Sequence, residues 1–130
     1  MTQLPALATL LTVLLLFATL WVTGRARGKY GIKAPATSGH PAFERAYRVQ
    51  MNTIEGSVMF LPALWLAASY GFSGWAGIAG LVWVAGRTWY AIAYWSDAAK
   101  RGPGFALAML AFLVLLALAA IGIVRALLAA

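Results

Sequence analysis

The sequence predicts an all-α integral membrane protein: a single domain over residues 1–130, built as a four-helix bundle. Three observations lead there. Charged residues make up only 10% of the 130 residues, against about 25% in soluble domains. Hydrophobic residues reach 63%, and the mean hydropathy is +0.83. The apolar residues are gathered into long runs, separated by short stretches rich in Gly, Pro or basic residues.

The first span is expected over about 4–23, an uninterrupted apolar run of the roughly 20 residues that cross a bilayer. A polar loop from Gly24 to His40 follows, punctuated by Gly, Pro, Thr and Ser. The second helix is expected over 41–70. Pro41 suits a first helical turn, where a missing N–H costs nothing. Pro62 lies inside this helix, a position at which membrane helices tolerate a kink. The third helix is expected over 73–99. Gly102-Pro103-Gly104 reads as a break, and the fourth helix as 105–128. Gly71, Gly74, Gly77 and Gly80 recur every three residues, a pattern that lets helices approach closely. Trp65, Trp75, Trp83, Trp89 and Trp95 read as packing residues or interfacial anchors.

The formal net charge is +7, but its distribution speaks for topology rather than nucleic acid. Arg25, Arg27, Lys29, Lys33, Arg45 and Arg48 follow the first apolar run; Lys100 and Arg101 follow the third. Positive charge marks cytoplasmic loops. Four spans would place both of these clusters in the cytoplasm and both termini on the opposite side. The first run lacks the basic preceding region of a signal peptide and is too long for one. There is no cysteine, hence no disulfide framework or thiolate metal site, and the single His40 argues against a histidine metal centre. His40 before Pro41 reads as a helix-start residue. Arg25, Lys29 and Lys33 read as topology determinants or contacts to lipid head groups.

Two polar stripes interrupt the apolar pattern. Arg45, Arg48, Asn52 and Glu55 are spaced three, four and three residues apart, within an arc of about 80° on one helix face. Arg87, Tyr90, Tyr94, Asp97 and Arg101 form a second stripe, spaced three, four, three and four. A charge within a bilayer costs roughly 2.5–3.5 kcal/mol on insertion scales, so it persists where it has a partner or a ligand. Asp97 is expected to pair with Lys100 or Arg101. The bland alternative is that the polar groups join helices to one another.

The stripes together offer guanidinium groups, an amide, phenols and one carboxylate, which suits a small, zwitterionic ligand bearing several carboxylates. Arginine grips carboxylates bidentately; Glu55 could hold an ammonium, and Asn52 and Gln50 could bond peptide amides. Glutathione has this charge pattern. Its thiol ionises poorly at neutral pH, with a pKa of about 8.5 for a free cysteine, and a nearby guanidinium favours the reactive thiolate.

The run from Glu44 to Glu55 (ERAYRVQMNTIE) resembles the core motif of the membrane-associated proteins in eicosanoid and glutathione metabolism, the MAPEG family. Upstream, Pro35, Thr37, Gly39, Pro41 and Phe43 match the loop of its leukotriene-synthase branch. Downstream, Arg87, Tyr90, Tyr94 and Arg101 match that branch's spacing. The resemblance implies a homotrimer that binds glutathione between neighbouring subunits near the cytoplasmic surface. It implies that Arg27, Arg48, Gln50, Asn52, Glu55, Arg87, Tyr90 and Tyr94 contact glutathione, and that Arg101 and Tyr94 are catalytic, Arg101 as the residue stabilising the thiolate. Two departures stand out: Gly56 replaces a tyrosine that touches glutathione, and Gly28 replaces a second arginine after Arg27.

The function expected from the resemblance is a membrane-bound glutathione transferase with detoxification-type or eicosanoid-like substrates. Glutathione is the co-substrate, no metal is needed, and a lipophilic electrophile or lipid hydroperoxide arrives from the bilayer. Peroxidase activity would use the same thiolate. A bacterial inner membrane is the expected location, with membrane lipids as further partners and no nucleic acid. Two alternatives stand beside it: a non-catalytic lipid-binding family member and a small four-helix transporter. The polar groups gather at one end rather than forming a path across, which speaks against transport. The generic Leu, Ala and Trp positions do not identify the electrophile.

Overall fold

The computed structural model describes residues 3–130. Four long helices follow one another: α1 (Leu4–Tyr30), α2 (Pro41–Ala67), α3 (Ser73–Ser96) and α4 (Gly102–Ala129). Among the described residues there is no strand. Helix α3 packs against α1, α2 and α4.

Helix α1 continues well past the expected end at Thr23. Residues 24–30, read from the sequence as the start of a loop, are helical. Arg27 and Lys29 sit in the last turn, where cations meet the negative end of the helix dipole. The helix stops at Gly31, whose φ of 67° is left-handed and whose N–H bonds to the carbonyl of Arg27. The loop therefore spans only 31–40. His40 then caps α2, its Nδ1 accepting from the N–H of Ala42 at 3.1 Å. Its ring stacks on Tyr30 at 3.7 Å.

Helix α2 runs through the exposed Pro62 to Ala67. The expected end at Tyr70 falls instead in a wide turn, Ala68–Phe72, where Gly71 takes a φ of 103° and the chain reverses. Helix α3 ends at Ser96, short of the expected Ala99, because Asp97 is extended and its carboxylate accepts from the N–H of Ala99 at 3.0 Å. Asp97 thus caps the short 3₁₀ turn Ala98–Lys100 rather than pairing with Lys100 or Arg101. The break expected at Gly102-Pro103-Gly104 is the first turn of α4. Pro103 needs no N–H partner there, and Gly104 lies against the backbone of Gly86 and Tyr90.

Small residues bring the helices together. A β-carbon on Gly80 would stand 2.9 Å from Cβ of Ala8, and one on Gly86 2.7 Å from the backbone nitrogen of Ala108. Gly77 meets Leu4 as closely. Around these contacts Phe60 stacks on Trp83 at 3.9 Å, with Leu64, Leu115 and several alanines buried beside them. Dispersion and close backbone approach, rather than hydrophobic expulsion, hold helices together in lipid. The buried hydroxyl of Thr23 bonds to the carbonyl of Ala46 at 3.1 Å and so ties α1 to α2. Large apolar side chains face outward along the helices, among them Phe17 at 60%, Val58 at 67% and Leu110 at 61% exposure. An apolar exterior of this extent suits lipid rather than water. Two segments, Leu4–Tyr30 and Ala98–Ala129, are long and apolar enough to cross a membrane.

Candidate functional site

The C-terminal end of α3, the 3₁₀ turn and the start of α4 meet the middle of α2 around an open groove of about 730 Å³. This lies within the roughly 300–1,000 Å³ usual for small-molecule sites. Asn52, Glu55, Arg87, Tyr90 and Arg101 line it together with Met59, Phe105 and Met109. Part of each polar stripe thus lines one groove.

Asn52 Nδ2 donates to the Tyr90 hydroxyl at 2.7 Å. This fixes the amide and leaves the phenolic hydrogen free to donate elsewhere. Tyr90 is buried, and its ring meets that of Tyr94 edge-on at 5.5 Å. Glu55 is exposed. Arg101 is also exposed; its Nη1 donates to the carbonyl of Ala98 at 2.6 Å, and its guanidinium lies 5.7 Å from the Tyr94 ring.

Arg87 is the unusual member. It is only 7% exposed. Its Nη2 reaches the carbonyl of Asn52 at 3.5 Å, while Nε and Nη1 are buried without any hydrogen-bond partner. Aromatic faces surround it: Tyr90 at 4.6 Å, Trp83 and Phe105 each at 5.9 Å. Cation–π attraction offsets part of the desolvation, but a buried, unpaired guanidinium still stands ready for an anion. Gly56 makes room for it. A β-carbon there would be 2.7 Å from Arg87 Nη2.

The remaining predicted residues lie elsewhere. Arg48 and Tyr94 line a second groove of about 390 Å³ with Arg45 and Asp97. Arg45 Nε donates to the carbonyl of Trp95 at 3.0 Å, tying α2 to α3. Arg27 anchors the loop, donating through Nη1 to Ala36 at 2.8 Å and Ile32 at 3.5 Å, with its guanidinium 4.8 Å over Phe43. Gln50 is half-buried and lines neither groove. Met59, Phe105 and Met109 are not among the residues expected from the sequence. Their signal was present: Met59 extends the α2 stripe by four residues beyond Glu55, and Phe105 and Met109 continue the four-residue step from Arg101.

Chemically, the large groove offers two guanidinium groups, a carboxylate, an amide and a phenol together with the apolar side chains of Met59, Phe105 and Met109. It can hold a charged peptide-like molecule beside a lipophilic one.

Comparison with known proteins places the chain among its relatives. The model of the MAPEG family matches residues 5–121. An uncharacterized protein of Synechocystis sp. is 46% identical over 111 residues, 85% of this chain and 81% of that protein. Microsomal glutathione S-transferase 2 of Bos taurus is 38% identical over 102 residues, covering 78% of this chain and 70% of its own length. Leukotriene C4 synthase of Cavia porcellus is 44% identical over 77 residues, 58% of this chain and 51% of the synthase.

Proposed function

The chain belongs to the MAPEG family, and from that premise we propose that it is a membrane-bound glutathione transferase acting on lipophilic electrophiles. The observation that carries the reading is the shared groove of Asn52, Glu55, Arg87, Tyr90 and Arg101, which opens onto Met59, Phe105 and Met109. The similarity to microsomal glutathione S-transferase 2 supports the glutathione half of it.

Glutathione lies with its carboxylates toward the guanidinium groups and its ammonium toward Glu55. Asn52, held by Tyr90, bonds a peptide amide. The exposed Arg101 stabilises the thiolate, and Tyr94 supports that arginine through its ring. The thiolate sulfur attacks an electrophilic carbon, forming a C–S bond as a bond such as an epoxide C–O breaks. The proton lost by the thiol ends on the new alkoxide. Holding both reactants in one groove replaces a bimolecular encounter with a positioned one. With a lipid hydroperoxide, two glutathiones would yield the alcohol, water and glutathione disulfide.

The proposal extends to a homotrimer of four-span protomers. Arg27, Arg48 and Gln50 lie outside the large groove of one protomer, so they would act on glutathione from a neighbouring subunit's face. With the first loop in the cytoplasm, the groove opens on that side, and the termini lie opposite. A bacterial inner membrane is the proposed location.

The test is thiolate ultraviolet absorbance on adding glutathione to the purified protein in detergent, beside Arg101→Ala. A thiolate signal lost in the variant supports the transferase. Binding without thiolate favours a non-catalytic lipid-binding member. No binding by folded protein sinks the glutathione reading and leaves transport, to be assayed in vesicles.

A further inference from the structure

We propose that the thioethers of Met59 and Met109 form a redox-modification site inside the large groove. A lipid hydroperoxide held there without glutathione oxidises them to sulfoxides, and the polar sulfoxides then hinder lipophilic substrates. The inference rests on the reading that this groove takes lipophilic electrophiles and hydroperoxides.

The chain has no cysteine and four methionines, so thioethers are its only sulfur groups. Met1 lies outside the described residues. Of the other three, Met59 and Met109 line the same groove and Met51 does not. Met59 comes from α2 and is 55% exposed; Met109 comes from α4 and is half-buried. Phe105, Met109 and Leu113 follow at four-residue steps, so they share one face of α4. Phe105 and Leu113 are exposed, which carries that face out to the lipid side. A hydroperoxide dissolved among acyl chains thus reaches both sulfurs along an apolar surface. Hydrogen peroxide, which stays in water, gains nothing from that surface.

A thioether is soft and polarizable. Its sulfur attacks the terminal oxygen of the hydroperoxide, and the O–O bond breaks as the S–O bond forms. The sulfur gives up two electrons and becomes the sulfoxide. The hydroperoxide is reduced to the alcohol, whose oxygen takes up the peroxide's own proton. The Tyr90 hydroxyl lines the groove with its hydrogen free, and it can relay that proton. No further oxidant or reductant is needed. Glutathione competes for the same oxygen, because its thiolate is the stronger nucleophile. The methionines are therefore spared while glutathione is bound and are oxidised when it runs out. A sulfoxide is polar where the thioether was apolar, and methionine sulfoxide reductases reverse it. The modification is a reversible brake on the lipophilic substrate and leaves the polar side chains that would hold glutathione unchanged.

The test exposes the full-length protein in detergent, without glutathione, to linoleate hydroperoxide or to hydrogen peroxide at equal concentration. Peptide mass spectrometry follows the sulfoxide at each methionine. Met51 and Met109 are alike half-buried, so their ratio separates groove binding from mere exposure. With linoleate hydroperoxide Met109 should oxidise about tenfold faster than Met51, the gain from holding the reactants together. With hydrogen peroxide the two should react at similar rates. Added glutathione should slow the Met109 reaction. The oxidised protein should show a severalfold higher KM for chlorodinitrobenzene at unchanged glutathione KM, reversed by the sulfoxide reductases. Met59→Leu with Met109→Leu should keep, after peroxide, the activity it had before. Equal rates at Met51 and Met109 with the lipid hydroperoxide would overturn the proposal. So would full modification that leaves the electrophile's KM unmoved. Wild-type mapping decides even where the variant folds poorly. No turnover by the unoxidised protein would sink the transferase reading and the brake with it; turnover with unselective oxidation sinks the modification site alone.

Discussion

Gly56 and Arg87 fit one another across the α2–α3 contact: a β-carbon on the glycine would lie 2.7 Å from Nη2 of the arginine. The atom in the way is the far end of a flexible side chain, so Gly56→Ala should push the guanidinium aside rather than unfold the protein. Stability should stay within about 1 kcal/mol of wild type, since alanine's better helix propensity offsets the displacement. Glutathione KM should rise about tenfold, the loss expected for one misplaced charged contact. Steady-state kinetics together with thermal unfolding check both halves. A large fall in Tm with unchanged KM would assign Gly56 to packing alone.

Arg87 itself should separate stability from binding. Its Nε and Nη1 have no hydrogen-bond partners, so the buried cation is compensated only by the Asn52 carbonyl and by aromatic faces. Burying an ionised group without a counter-charge is costly, so an apolar side chain of similar length removes that cost. Arg87→Met should therefore match or exceed wild-type Tm in detergent. It should also bind glutathione roughly 10–100-fold more weakly, the worth of a charged hydrogen bond. Calorimetric titration beside unfolding measures the two effects. A destabilised variant with full affinity would contradict an anion-receiving role.

Much of this was legible from the sequence because helices repeat every 3.6 residues. Asn52, Glu55, Arg87, Tyr90 and Arg101 could be set on their faces by counting, and they meet in one groove. Counting could not show that Arg48 and Tyr94 turn into a neighbouring groove instead, because that depends on how α2 and α3 lean against each other. Helix ends were harder. Polarity suggested that α1 ends at Thr23, but polarity reports on membrane depth, and backbone hydrogen bonding continues to Gly31. Gly102-Pro103-Gly104 has the composition of a loop, yet Gly104 is there to admit the backbone of Tyr90. Gly56 stands out in the sequence as a departure from the motif, but its link to Arg87 is a contact between residues far apart in sequence.

The glycine at the α3–α4 crossing should tolerate nothing larger. A β-carbon on Gly86 would lie 2.7 Å from the backbone nitrogen of Ala108, and backbone cannot step aside as a side chain can. Gly86→Val should destabilise by about 1–3 kcal/mol through overpacking, read as a lower Tm and faster proteolysis in detergent. Gly28→Ala, on an open surface, is the control and should be neutral or slightly stabilising.

The bond from Asn52 to Tyr90 makes a sharper claim, because it can be measured as a coupling. Tyr90→Phe removes both the acceptor for Asn52 Nδ2 and the phenolic hydrogen offered to the groove. Asn52→Ala removes the donor and the amide that contacts glutathione in the proposed pose. If the bond's purpose is to aim the amide, the two losses should overlap. Each single variant should lower kcat/KM, and the double variant should be little worse than the poorer single. The interaction energy should be about 1 kcal/mol, typical of residues in contact. Fully additive losses in the cycle would mean that Asn52 and Tyr90 act on glutathione independently. A cycle that couples in Tm but not in kcat/KM would make the bond a tie between α2 and α3 with no part in positioning.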